Sequence, residues 1–218
     1  MLLAFDTASS TVTVALHDGS DVVAEAASGE GMRHGEQLAP LIERVLAQHG
    51  VVPADLTAIA VGVGPGPFTG LRVGLVTART MAHVLDIAVH GVCSLDSLAA
   101  EAVAAGVGGP FLVATDARRK EVYLASYDER GRRQGLPVVD RPAELASDLP
   151  VVGEGAALYP EAFPRGRGPL RPSAAWLARS VHAGTVEVLA PDPLYLRRPD
   201  AEIPRAPKAV LSDVPPAP

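Results

Sequence analysis

Residues 1–18 read MLLAFDTASSTVTVALHD, and residues 111–128 read FLVATDARRKEVYLASYD. The two stretches overlay at a constant offset without a gap, so that Asp116 falls on Asp6 and Asp128 falls on Asp18. Each predicts a strand, an aspartate at its end, a polar turn and a second, alternating strand. Two unrelated hairpins would give a similar pattern, because aspartate is common in turns. An internal duplication also explains the constant offset, and it predicts an α/β fold with two similar lobes.

The residues between the two copies complete the first lobe. Because a proline is tolerated only in the first turn of a helix, we expect the first helix to begin near Pro40, and Gly50 can end it. Thr69 is a good N-cap for the second helix. Apolar and alternating runs predict strands over 2–5, 11–16, 21–26, 57–62 and 87–92, and helices over about 40–50, 70–85 and 95–105.

A glycine-rich segment separates the two halves. AGVGGP, residues 105–110, is typical of a linker, which predicts an N-terminal lobe over 1–107 and a C-terminal lobe over 108–198. In the second lobe the pattern is less regular, with a loop over 160–172 and a short capped helix over 173–182. The prolines and low hydrophobicity of residues 199–218 predict a loosely ordered tail.

Composition excludes several classes of function. The 218 residues carry a formal net charge of −6, and only 4% of them are aromatic. Phosphate contacts need clustered Lys and Arg, and base stacking needs rings, so a role in nucleic-acid chemistry would run through a partner. The single cysteine, Cys93, excludes an internal disulfide and a thiolate metal cluster. The absence of a basic leader and of a long apolar run predicts a soluble, cytoplasmic protein with no membrane segment.

Residues 62–80, GVGPGPFTGLRVGLVTART, resemble a phosphate-binding loop opening a helix. No lysine follows these glycines as a Walker A loop requires, and the spacing is not GxGxxG, so phosphate binding is weakly supported. The helix behind the loop has a more informative pattern. Gly70, Gly74, Ala78 and Ala82 recur every four residues and allow a close helix crossing. This stripe can pack on the chain's own sheet or on a partner helix, and the sequence leaves both open.

Catalytic motifs are sparse. The histidines form no HExxH or HxxxH pair, and there is no GxSxG nucleophile motif. His34, close to Glu36, is expected to be a surface or capping residue. Asp6 and Asp116 are the remaining candidates for acid–base or magnesium chemistry, if the two hairpins face each other across a cleft. As turn residues they need no function at all.

Several motifs together resemble the TsaB family, the non-catalytic partner subunits in threonylcarbamoyl modification of adenosine 37 in tRNA. They are AFDTASSTVTVAL, RHGEQLAPLIERVL, GVGPGPFTGLRVGL, SLDSLAA, DARRKEVY, GEGA and PLYLR, which lie in this order over residues 1–198. Pro67 stands where the family usually has serine. The resemblance implies an ASKHA-type fold with two ribonuclease-H-like lobes, and partnership with the catalytic subunit TsaD and the ATPase TsaE. TsaD has a metal-binding HxxxH pair, and the similar stretch here places Ser94 and Leu98 at those positions.

The resemblance also implies roles for particular residues. It predicts no catalytic residue and no metal, tRNA contact only through the complex, and association with TsaD or with a second copy of the chain. It predicts no cofactor in the isolated chain and leaves open an ATP or ADP site at the partner interface, with Asp6, Thr7 and Asp116 as candidate ligands. The predicted interface residues lie on the first two helices: His34, Glu36, Leu38, Leu41, Val45, Phe68, Thr69, Gly70, Leu71, Arg72, Gly74, Leu75, Ala78 and Ala82.

Two enzymatic alternatives remain beside this scaffold role. An ATP-dependent phosphotransferase or hydrolase of the same fold would use Asp6 and Asp116. A metallopeptidase, which older naming of the wider family suggests, has no visible ligand set in this sequence.

Overall fold

A computed structural model describes residues 1–29, 31 and 33–197 of the chain. The first half forms a five-stranded sheet of order β3-β2-β1-β4-β5, in which β1 to β3 are antiparallel and β4 and β5 are parallel to β1. Its elements are β1 (Leu2–Asp6), β2 (Thr13–His17), β3 (Val22–Ala27), α1 (His34–Gln48), β4 (Ala58–Gly64), α2 (Phe68–Leu85), β5 (Ala88–Cys93) and α3 (Ser94–Ala104).

The second half repeats this topology. Its sheet has the order β8-β7-β6-β9-β10, with β6 to β8 antiparallel and β9 and β10 parallel to β6. The elements are β6 (Phe111–Asp116), β7 (Val122–Tyr127), β8 (Arg133–Asp140), β9 (Val151–Val152), α4 (Glu154–Leu158), β10 (Gly166–Arg167) and α5 (Ala174–Ala183). Strand order and direction match between the halves, so the fold is ASKHA-type, with two ribonuclease-H-like lobes.

The helices do not all pack on the sheet of their own half. Helices α1 and α2 cover one face of the first sheet, and α5 returns from the second half to cover its other face. Helix α3 instead packs through Leu95 and Leu98 on Phe111 and Val152 of the second sheet. The lobe boundary between residues 107 and 108 stays a prediction. Helix α3, which precedes it, packs on the second sheet, and helix α5, which follows it, packs on the first sheet.

A buried polar cluster fixes α3 on the second lobe. Asp96 of α3 accepts hydrogen bonds from the Tyr127 hydroxyl at 2.7 Å and from the Arg133 guanidinium at 2.9 Å. Arg133 also pairs with Glu187 at 3.0 Å. Burial raises the pKa of Asp96, an effect that the Tyr127 hydrogen bond and the Arg133 charge oppose. The cluster joins α3, β7, β8 and the segment after α5.

Two helix starts differ from the sequence prediction. Helix α1 begins at His34 and contains Pro40 in its interior. Pro40 and Glu36 are both exposed, so water can solvate the carbonyl that lacks a helical donor. Helix α2 begins at Phe68 with Pro67 as its N-cap, so Thr69 does not cap it.

The predicted end of α1 and the predicted cap of the last helix are confirmed. Gly50 follows α1 with a left-handed φ of 64°, as a helix-ending glycine should. Ser173 caps α5 by accepting a hydrogen bond from the Trp176 amide. The short strand Gly166–Arg167 lies inside the expected loop. The predicted tail over 199–218 lies outside the described residues. None of the helices in the described ranges is long and apolar enough to cross a membrane.

The small-residue stripe of α2 packs inside the chain. Gly70, Gly74, Ala78 and Ala82 are all buried. A Cβ on Gly70 would lie 2.4 Å from the Thr7 carbonyl oxygen, and one on Gly74 would lie 2.4 Å from the Thr7 Oγ1. The stripe therefore lets α2 approach the end of β1, and the alternative of a partner helix on the stripe is wrong.

Replacing Gly70 by alanine tests this close approach. The new methyl group meets a backbone oxygen that cannot turn aside, so Gly70→Ala should lower the free energy of unfolding by about 2 kcal/mol. Gly35→Ala is the matched control near the start of α1, because its Cβ would be 4.0 Å from its nearest neighbour, Val73. Urea unfolding measures both variants. Equal stability of Gly70→Ala and the parent chain would contradict the packing.

Candidate functional site

The Asp6 carboxylate lies at the centre of the first lobe. One oxygen accepts a hydrogen bond from the Ala8 amide at 2.7 Å, and the other accepts one from the Ser94 hydroxyl at 2.6 Å. Ser94 Oγ in turn accepts a hydrogen bond from the Gly64 amide at 3.2 Å. The residue is 1% exposed, and a Cβ on Gly62 would lie 1.9 Å from its Oδ2. Asp6 thus joins the end of β1 to the glycine-rich loop and to the start of α3.

Burial governs the electrostatics of this carboxylate. It raises the pKa of Asp6 from the ordinary 3.8, while the Ser94 hydrogen bond, the Ala8 amide and the charge of His34 act in the opposite direction. Thr7 is buried as well, and its hydroxyl donates to the Gly70 carbonyl at 2.8 Å. Both predicted nucleotide ligands of the first lobe are therefore engaged in contacts within the chain, away from solvent.

Asp116 occupies the equivalent position in the second lobe but has a different environment. Its side chain accepts a hydrogen bond from the Arg118 amide at 2.8 Å and pairs with the Arg118 guanidinium at 3.2 Å. The following residues Arg118, Arg119 and Lys120 are exposed and all have left-handed φ angles. No hydrogen bond or ion pair joins Asp116 to Asp6 among the residues that the structure describes.

Ser94 and Leu98, which the sequence comparison placed at the positions of the TsaD metal-binding pair, make other contacts in this chain. Ser94 is bonded to Asp6, and Leu98 is fully buried in the apolar cluster of the second sheet. Within residues 1–29, 31 and 33–197, no three His, Cys, Asp or Glu side chains are grouped as metal ligands. Ser94 belongs to the Asp6 hydrogen-bond network, and Leu98 belongs to the core.

The predicted interface residues separate into two groups. Glu36, Phe68, Thr69 and Arg72 are exposed. The others are buried within the chain, because they form the inner faces of α1 and α2: His34, Leu38, Leu41, Val45, Gly70, Leu71, Gly74, Leu75, Ala78 and Ala82.

His34 is among the buried residues, although the sequence predicted a surface or capping position. Its Nε2 lies 2.7 Å from the Ser9 carbonyl oxygen, and its ring packs beside Gly70. The side chain fills the space between α1, α2 and the loop after β1. A direct partner contact through His34 is therefore wrong.

Exposed residues of α2 form a row, of which the sequence analysis predicted Phe68 and Arg72 and missed Val76, Thr80 and Val84. Phe68, Arg72, Val76, Thr80 and Val84 recur every four residues and are all exposed, Val76 by 61% and Val84 by 75%. Two valines on the solvent side of an amphipathic helix were the available signal. Beside this row, α1 exposes the small and apolar residues Gly35, Ala39, Pro40 and Ala47. We call this combined surface the outer face of α1 and α2.

Known proteins resemble the chain over most of its length. The TsaD family model, described as tRNA N6-adenosine threonylcarbamoyltransferase, matches residues 22–162. The tRNA threonylcarbamoyladenosine biosynthesis protein TsaB of Bacillus subtilis is 31% identical over 223 residues, covering 92% of this chain and 96% of the relative. An uncharacterised protein of Mycobacterium tuberculosis is 42% identical over 208 residues, covering 92% and 93%. The structure of YeaZ from Pseudomonas aeruginosa is similar with a TM-score of 0.73 at 30% identity, covering 89% and 99%.

Removing the Ser94 hydroxyl tests the Asp6 network. Ser94→Ala takes a donor from a buried carboxylate, which should lower the free energy of unfolding by about 2 kcal/mol when Asp6 is ionised. The deficit should be largest above the raised pKa of Asp6. Losing the donor raises that pKa further, so the deficit should shrink as the pH falls from the pKa of the variant towards the pKa of the parent chain, because a protonated carboxyl depends less on the donor.

Urea unfolding over a series of pH values measures this dependence. Ser97→Ala is the control, because Ser97 donates to the Ser94 carbonyl at 2.9 Å and does not contact Asp6. Its cost should not change with pH. A pH-independent deficit in Ser94→Ala would mean that Ser94 does not stabilise the ionised form.

Proposed function

Because the chain belongs to the TsaB family, we propose that it is the non-catalytic partner subunit of a TsaD-type threonylcarbamoyltransferase in tRNA modification at adenosine 37. In this role the chain binds the catalytic subunit and supports its active conformation. It contributes no reacting group of its own.

The outer face of α1 and α2 is the observation that carries this proposal. Its row of Phe68, Arg72 and Val76 exposes apolar and guanidinium groups of the kinds that are enriched at protein interfaces. The adjoining helix α1 exposes small residues such as Gly35 and Ala39 among charged ones such as Glu43, and the small residues let a second pair of helices approach closely. Phe68, Val76 and Val84 lie on one side of α2, so their exposed apolar surface is grouped, as at a binding site, and is not scattered singly.

The fold of the partner supports the same face. The TsaD family model matches this chain itself, so the catalytic subunit has a related fold with its own counterparts of α1 and α2. Two related subunits can associate through equivalent helix pairs about an approximate two-fold axis. A second copy of this chain would occupy the same face, and the homodimer and the heterodimer are then mutually exclusive.

The proposal includes the remaining members of the complex but assigns them no contact residues in this chain. TsaE, ATP or ADP at the subunit interface, and tRNA bound only through the assembly are carried over from the family. The net charge of −6 supports a tRNA contact made chiefly by partners. Cytoplasmic location follows from the proposed substrate.

The enzymatic alternative receives no support from the candidate residues. A phosphotransferase of this fold needs carboxylates that reach Mg²⁺ or phosphate from a cleft. The Asp6 carboxylate is buried and has both oxygens hydrogen-bonded, and Asp116 is paired with Arg118. ATP turnover by the isolated chain that disappears in Asp6→Asn would reverse this judgement.

A charge on the outer face should prevent association. Val76→Glu leaves the core of the free chain unchanged but places a carboxylate in the proposed helix contact. We expect the Kd for the TsaD-type subunit to rise at least 30-fold, about 2 kcal/mol. Leu136→Glu is the matched control, because Leu136 is 82% exposed on β8 of the other lobe.

Isothermal titration calorimetry with the purified catalytic subunit measures both variants. Unchanged binding by Val76→Glu, with the parent chain binding normally, would exclude this face. A loss in Leu136→Glu alone would move the interface to the second lobe.

A further inference from the structure

The segment from 185 to 197, which follows α5, runs along the first lobe and is anchored at several points. Leu189 exchanges two backbone hydrogen bonds with Gly91 of β5, at 3.0 and 2.8 Å. The Leu194 amide donates to the Val63 carbonyl at 2.8 Å, and Asp192 pairs with Arg79 of α2. We call residues 185–197 the strap.

The strap brings Tyr195 to the first turn of α2. The Tyr195 ring stacks on Phe68, with the centroids 5.2 Å apart and the planes inclined by 27°. The Arg72 guanidinium carbon lies 4.1 Å from the centroid of the Phe68 ring. The three side chains form one stacked group at the end of the outer face, and we call it the aromatic cluster.

Its exposure is unusual for this chain. Only nine residues are Phe, Tyr or Trp, and of these Phe68 and Tyr195 alone are exposed, at 40% and 39%. The other seven are buried or half-buried. The two aromatic rings that the fold leaves in solvent therefore stack on each other, beside the proposed partner-binding helices.

The charge of Arg72 specifies what the partner presents. Arg79, two turns further along α2, is paired with Asp192 of the strap. Within the described part of the chain Arg72 has no carboxylate partner, and its guanidinium is exposed above Phe68. A partner that covers the cluster must therefore bring an apolar side chain against the rings and an acidic group towards Arg72.

Resting on the proposed function, we propose that the aromatic cluster of Phe68, Arg72 and Tyr195 is part of the surface that binds the TsaD-type subunit. Tyr, Phe and Arg contribute large contact areas at little conformational cost when they are already held in place. The strap holds Tyr195 there through its backbone bonds to β4 and β5. The binding surface thus combines two helices with a segment that lies more than a hundred residues further along the chain.

Substitutions at Tyr195 test the proposal. In the full chain, Tyr195→Ala should raise the Kd for the TsaD-type subunit about 30-fold, and Tyr195→Phe, which keeps the ring, should leave it within about threefold. In the double variant Phe68→Ala/Tyr195→Ala, the Kd should rise by less than the product of the two single increases, because each ring supports the other. Urea unfolding checks that every variant is folded.

The results separate the two proposals. If Val76→Glu weakens binding and Tyr195→Ala does not, the helix face is the interface and the cluster is not part of it. If neither has an effect, both proposals fail. Arg72→Glu gives a second test that leaves the strap intact, and it should weaken binding by at least tenfold. An unchanged Kd for Arg72→Glu would exclude an acidic partner group at this position.

Discussion

The close approach of α2 to the end of β1 is the constraint on which the candidate site depends. Thr7 packs against Gly70 and Gly74 and donates to the Gly70 carbonyl, so α2 has only one rotation in which it fits. That rotation turns the small residues inward and leaves Phe68, Arg72 and Val76 in solvent. The neighbouring Asp6 carboxylate fixes the same strand end to the start of α3. Internal packing thus determines which surface remains for a partner.

Much of the fold could be predicted from the sequence, because its signals are local. Alternating strands, the turn at Asp18 and the repeated strand–aspartate–strand pattern each depend on a few neighbouring residues. The same patterns reappear in both sheets with equal order and direction. The family's motifs point to the same architecture, and the similarity to TsaB relatives covers most of the chain. The start of α1 was harder, since the cost of an interior proline depends on whether its surroundings are solvated.

The site could be predicted only in part, since its decisive contacts are tertiary. A stripe such as Gly70 and Gly74 permits a close approach from any backbone, and sequence spacing does not say which one arrives. The position of His34 close to Glu36 suggested a surface histidine, but the loop after β1 covers its side chain. The strap is held in place by backbone hydrogen bonds to Gly91 and Val63. Such bonds require no particular side chains, so the sequence of the strap shows no periodic pattern. The motif PLYLR includes Tyr195, but nothing in the sequence placed this residue beside Phe68.

The exchange of α3 and α5 between the lobes has a consequence for how the molecule can be divided. A chain cut within residues 105–110 would leave the first sheet without the helix that covers one face, and would leave α3 separated from the second sheet. Each half would then expose an apolar layer that only the other half can cover. The two pieces would be a complementary pair that folds by recombination, and not two independent modules. The two similar halves are in this way parts of a single folding unit.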